Sequence, residues 1–166
     1  MSNRIRNAQV FDARIGEYPV DMYIRWIIGG ELDFDANYQR GYVWGHEEQQ
    51  AFLNVVISGF PIGSVALAKA PDWCSRELPY IEVVDGKQRL TTLKKFITNE
   101  IPIILADGPM TRAEQLAFGR RSLPAIVLDE VTYKDRLAYF MAVNFTGVPQ
   151  SEEHKRHVMQ LMEAAQ

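Results

Sequence analysis

Apolar and polar positions along the chain follow two rhythms, one of period near 3.6 and one of period 2, and the switches between them mark the elements. Tyr23, Ile24, Trp26, Ile27 and Ile28 form a broad helical face that Asp21 is placed to cap and Gly29-Gly30 to stop. Leu32 to Phe34 reads as a short extended piece. The run from His46 to Ser58 is helical by its acidic first turn and by the spacing of Phe52, Val55 and Val56, with Gly59 and Pro61 ending it. Ser64 to Lys69 sets Val65, Leu67 and Lys69 against small residues, and Tyr80 to Val84 is rich in β-formers, so both predict strands. Leu90, Leu93, Phe96 and Ile97 predict a helix over 88–99. Thr111 and Glu114 make a capping box for a short helix to about Arg120, Pro124 to Leu128 is another strand, and Tyr133 to Val143 another helix. Ser151 is placed to cap a last helix carrying Val158, Leu161, Met162 and Ala165. Loops are expected from Ala70 to Leu78 and from Ala106 to Met110. Strands and helices so mixed give an α+β fold.

Composition narrows the function classes. A chain of 166 residues with 47% apolar side chains suits one domain, 1–166, whose last stretch, 151–166, is a C-terminal helix. Eighteen basic and 21 acidic residues leave a net charge of -3, so any contact with DNA has to be local. The one cysteine, Cys74, cannot pair within the chain, and no zinc-finger spacing occurs, which suits a reducing compartment and speaks against structural zinc. Arg4, Arg6 and Arg14 are not followed by an apolar leader core, and no stretch approaches the roughly 18 apolar residues of a membrane span. The expectation is a cytoplasmic protein without a membrane partner.

One segment carries candidate chemistry. Asp85-Gly86-Lys87-Gln88-Arg89 brings a carboxylate, a glycine, two cations and an amide between a buried strand and an amphipathic helix. A helix N-terminus presents unpaired N–H groups and a partial positive charge, and glycine lets a phosphate approach the backbone. Arg89 can supply a bidentate fork, Lys87 a point charge, and Asp85 a ligand for a metal ion or an anchor for water. The plainer reading makes Asp85 the helix cap, with Lys87 and Arg89 solvated at the helix start. The Walker pattern GxxxxGK[ST] is absent.

Asp85 to Leu93 resembles the DGQQR-x-TTL signature of the domain found at the N-terminal end of GmrSD-type, modification-dependent restriction proteins, related to the ParB/sulfiredoxin fold. Tyr38-Gln39-Arg40-Gly41-Tyr42-Val43-Trp44 resembles its FQR-x-YVW segment, Ser58 to Gly63 its GYPI turn, and Asn144-Phe145-Thr146-Gly147 its late RLN-x-GG segment. The resemblance implies a small mixed sheet packed against several helices. It implies a module that binds and hydrolyses nucleoside triphosphates; Mg2+ at Asp85 is the metal expectation that accompanies it. By the same resemblance Asp85, Gln88 and Arg89 are the catalytic candidates, Gln39, Arg40, Gly86, Lys87 and Asn144 bind the nucleotide, and a restriction or defence protein is an expected partner. Two departures bear on turnover. Lys87 replaces the family's first glutamine, and Ala142 replaces an arginine, where a positioned arginine is worth a factor of ~10³ or more in phosphoryl transfer.

Other features weigh less. Tyr38, Tyr42 and Trp44 around Arg40 can stack a base, or Tyr42 and Trp44 can serve as core anchors. His154 and His157 lie at helical spacing without a third ligand and read as a solvated face. Cys74 lacks a histidine partner, and Arg120-Arg121 and Lys94-Lys95 read as solvated pairs with DNA phosphates as the alternative. Three histidines, at 46, 154 and 157, cannot build an HNH nuclease, so restriction by this chain alone is not expected. A non-catalytic DNA- or protein-binding module that modulates a restriction complex is the main alternative to an NTPase, and DNA nicking of the ParB type ranks below it.

Overall fold

The computed structural model describes residues 13–59, 61–75, 77–105, 107–145 and 152–165. Elements run β1 (Ala13–Pro19), α1 (Val20–Ile28), β2 (Leu32–Asp33), α2 (His46–Ile57), β3 (Val65–Lys69), β4 (Ile81–Asp85), α3 (Lys87–Ile97), β5 (Ile104–Leu105), β6 (Gly108–Pro109), α4 (Arg112–Gly119), β7 (Ser122–Leu128), α5 (Tyr133–Phe145) and α6 (Glu152–Ala164). Five strands form a mixed sheet in the order β1-β7-β3-β4-β2. The β1/β7 and β3/β4 pairs are antiparallel, whereas β3/β7 and β2/β4 are parallel. The α+β class expected from the sequence is the observed one.

The side-chain period of a strand explains the two cores. Val65 and Leu67 of β3 and Ile81 and Val83 of β4 face Val20, Tyr23 and Ile24 of α1, Leu53 of α2 and Leu90, Leu93 and Phe96 of α3. Their neighbours Ala66, Ala68 and Val84 face Tyr38, Leu137 and Phe140 of the α5 side and Val158 of α6. Because β3 is covered on both faces, it reads as a continuous apolar run with small residues on one side.

Several expectations are corrected. Asp21 does not cap α1, because Pro19 holds that position; Asp21 sits in the first turn and pairs with Arg25 at 2.9 Å. Ile28 leaves the apolar face and is 66% exposed. Part of the loop expected near 106–110 belongs to a hairpin, Ile104–Leu105 paired with Gly108–Pro109, and the loop after Ala70 holds a 3-10 turn, Trp73–Ser75. Strand β1 had no apolar alternation to reveal it. The Thr111 cap is as expected, its Oγ1 accepting from the Glu114 N–H at 3.4 Å. The proposed Ser151 cap lies outside the described residues. Among the described residues no helix is long and apolar enough to cross a membrane.

Candidate functional site

Strand β4 delivers Asp85 to the surface, and the chain turns into α3 through a single residue. Gly86 has φ 100°, in the left-handed region, and an added Cβ would lie 2.6 Å from Val65 Cγ1. Both facts exclude other residues, one by backbone sterics and the other by the β-branched side chain beneath. Gly86 therefore caps α3, not Asp85, and no side chain among the described residues caps the helix start, where the first-turn N–H groups lack intrahelical partners.

Around this turn a cavity of about 190 Å³ is lined by Gln39, Arg40, Trp44, Val84, Phe140, Asn144 and the whole Asp85–Arg89 stretch. The two arginines of the QR and DGKQR segments thus share one concavity. Their states differ. Arg89 is 18% exposed at its side chain, with Nη2 2.9 Å from Asp85 Oδ2 and Nη1 donating to the Ile62 carbonyl at 2.9 Å. Its fork is engaged by protein, so it orients Asp85 and ties the 62–63 turn to α3. Arg40 is exposed and makes no hydrogen bond or ion pair among the described residues. Lys87 is not solvated either: its side chain is 11% exposed, and Nζ lies 2.8 Å from Oδ1 of the outlying Asp35.

The two glutamines act as braces. Gln88 Oε1 accepts from the Val43 N–H at 2.9 Å and the Trp44 N–H at 3.4 Å, while Nε2 donates to the Gly41 carbonyl at 2.9 Å. This fixes the 41–44 segment, and with it the Trp44 ring, to α3. Gln39 Nε2 donates to the carbonyls of Val83 and Val84, and its Oε1 is buried without a partner among the described residues. Asn144 Nδ2 donates to the Phe140 carbonyl at 3.0 Å, within α5.

Tyr38 is not at the cavity. It is fully buried, its ring 5.0 Å from Phe140, and its hydroxyl donates to Glu82. Burial first, then the Glu82 carboxylate, push its ionisation far above the ordinary value. Base stacking on Tyr38 is thereby ruled out. Tyr42 also turns away, its hydroxyl 2.9 Å from Thr92 Oγ1 and its ring under Lys95. Trp44 is the aromatic ring of that segment in the cavity lining.

Sequence reasoning missed the clamp behind these walls. Glu82 accepts from Tyr38 and from Arg136 Nη1 at 2.6 Å, with Glu82 and Arg136 side chains 12% and 13% exposed. The Tyr38 end precedes Gln39 and Arg40, and Arg136 lies on the α5 turn before Phe140 and Asn144, so one carboxylate joins two cavity walls to β4. An inward-facing glutamate in a strand was the available signal.

The remaining candidates are elsewhere. His154 stacks on Phe145 at 21° and 5.9 Å instead of facing solvent, and burial, followed by His157 and Arg40, lowers its pKa. No cluster of three metal-ligating side chains occurs among the described residues. Cys74 is exposed and free. Arg121 donates to the Val56 and Ile57 carbonyls at 2.7 and 2.9 Å, finishing α2 and not waiting for a phosphate.

No curated protein matches this sequence. The profile of the family described as GmrSD restriction endonuclease, N-terminal domain, matches residues 27–157, a stretch that takes in every wall of the cavity. The chain belongs to that family, and with it to the modules of restriction and defence systems.

Proposed function

We propose that the cavity binds the phosphates of a nucleoside triphosphate and supports its hydrolysis. The observation that carries this reading is the convergence of Arg40, Lys87 and Arg89 with an uncapped helix N-terminus on one concavity whose wall contains, among the described residues, a single carboxylate, Asp85. Oxyanions settle on the N–H groups at the start of α3, where the close approach is made possible by Gly86. Arg40 supplies charge-assisted bonds that no group among the described residues takes up, and Lys87 supplies a second cation when it turns from Asp35. Asp85, held by Arg89, positions the attacking water. A lone carboxylate suits Mg2+ that arrives with the nucleotide and shares its phosphate oxygens, and does not suit a resident ion. Such an ion would neutralise phosphate charge.

Titration calorimetry with each NTP, with and without Mg2+, tests the reading, together with phosphate release. Binding is expected, and Arg40→Ala should weaken it by about tenfold, the lower range for a charge-assisted hydrogen bond, with no change in melting. Absence of binding to every NTP by folded protein removes the proposal.

The engagement of Gln88 at both ends of its amide favours a second reading, a module that binds nucleotide without turning it over. Binding without phosphate release would select it.

A further inference from the structure

Ligand sites that bury a small organic molecule usually span about 300–1,000 Å³. The cavity of about 190 Å³ therefore holds only part of a nucleotide. Beside it lies an open apolar shelf of about 470 Å³ formed by Trp44, Ala51, Phe52, Val55, Pro61 and Ile62. Cavity and shelf meet at two places. Trp44 lines both, and Arg89 of the cavity donates to the carbonyl of Ile62 on the shelf.

The shelf is a second apolar stripe on α2. Leu53 and Val56 of that helix are buried in the core, whereas Ala51 and Val55 point outward, Val55 with 40% exposure. Trp44 and Phe52 stand half-buried with ring centroids 5.3 Å apart. The one charged residue in its lining, Glu48, accepts from the Gly45 N–H at 2.9 Å and so serves the helix start.

We propose that this shelf is the base subsite of the nucleotide whose phosphates occupy the cavity. The occupant is a flat aromatic ring joined to an anionic tail, because the shelf offers rings and aliphatic edges and the adjoining cavity offers cations. Stacking on Trp44 and contact with Phe52 and Val55 hold the base through its faces, which every base has. With no uncommitted polar side chain among these lining residues, the shelf reads area more than hydrogen-bond pattern. Purine nucleotides bind more tightly than pyrimidine nucleotides, and none is strongly excluded.

This inference rests on the nucleotide reading, and the test separates the two. Affinities of wild-type protein and Val55→Asp are measured for ATP, CTP and inorganic tripolyphosphate. Val55 is exposed and takes no part in the phosphate cavity. The expected result is a loss of about tenfold for ATP, the lower range for one base-aromatic contact, with tripolyphosphate affinity unchanged. Unchanged tripolyphosphate binding also shows that the variant is folded. If wild type binds ATP and Val55→Asp binds it equally well, the shelf is not the base subsite, and a protein partner becomes its better occupant. An equal loss for ATP and tripolyphosphate likewise overturns the proposal. If wild type binds neither ligand, the nucleotide reading itself fails.

Discussion

Replacing Gly86 by alanine tests the geometry on which the cavity depends. The residue holds φ 100°, and a left-handed conformation costs a residue with Cβ about 1–2 kcal/mol. The new Cβ would sit 2.6 Å from Val65 Cγ1 and 3.0 Å from its Cβ. Val65 is fully buried and stiff at χ1, so the turn or the strand has to move, at about 1–3 kcal/mol as for other overpacked cores. Together these predict a loss of about 2–5 kcal/mol, a large share of an ordinary domain stability of about 5–15 kcal/mol. Urea unfolding of wild type and variant measures it, as a shift of midpoint at constant slope. The steric part is separable: Val65→Ala removes the clashing methyls, so the double variant should be about 1–2 kcal/mol more stable than the sum of the single effects implies. A Gly86→Ala protein within about 0.5 kcal/mol of wild type, or strict additivity with Val65→Ala, would refute the reasoning.

Further consequences can be checked in the same way. Gln88→Ala removes the brace on residues 41–44 and should cost about 1–3 kcal/mol, with a change in tryptophan fluorescence as Trp44 is released; an unaltered spectrum and midpoint would contradict the brace. Glu82→Leu leaves Arg136 buried without its counterion and should cost about 3–5 kcal/mol, measured by denaturant unfolding, whereas a neutral result would mean that the clamp is solvent-relaxed. Hydrogen bonding from Arg14 is the main cause of the lowered Asp129 pKa. A lowered folded pKa means that its stabilisation is present above the unfolded value and disappears as pH falls through the folded one. Asp129→Asn should therefore be less stable than wild type by under about 1 kcal/mol near neutrality, as for exposed pairs, and equal to it in strong acid.

The site was readable where local chemistry dictates it. Gly86 and two cations between a buried strand and an amphipathic helix, and an Arg among aromatics, both announced a cationic turn at a shared cleft, and these residues do share one cavity. What escaped were side chains whose partners are distant in sequence. Nothing near Arg89 reveals that Ile62 and Asp85 engage its fork, and nothing near Lys87 points to Asp35, 52 positions away. Tyr38 looked like a stacking ring beside Arg40, but it sits in a turn that buries its ring completely, and a glutamate in β4 takes its hydroxyl there. Strand β1 was illegible for another reason. It lies at the sheet edge with Ile15 83% exposed, so no in-and-out alternation of burial runs along it.

Strand β2 ends after two residues, pairing only with Ile81 and Glu82 of its longer neighbour. From there the Gln39 amide takes over, binding the carbonyls of Val83 and Val84. A side chain thus satisfies main-chain acceptors of β4 beyond the point where its neighbour stops. Besides lining the cavity, Gln39 keeps main-chain oxygens paired on the stretch of β4 that β2 does not reach.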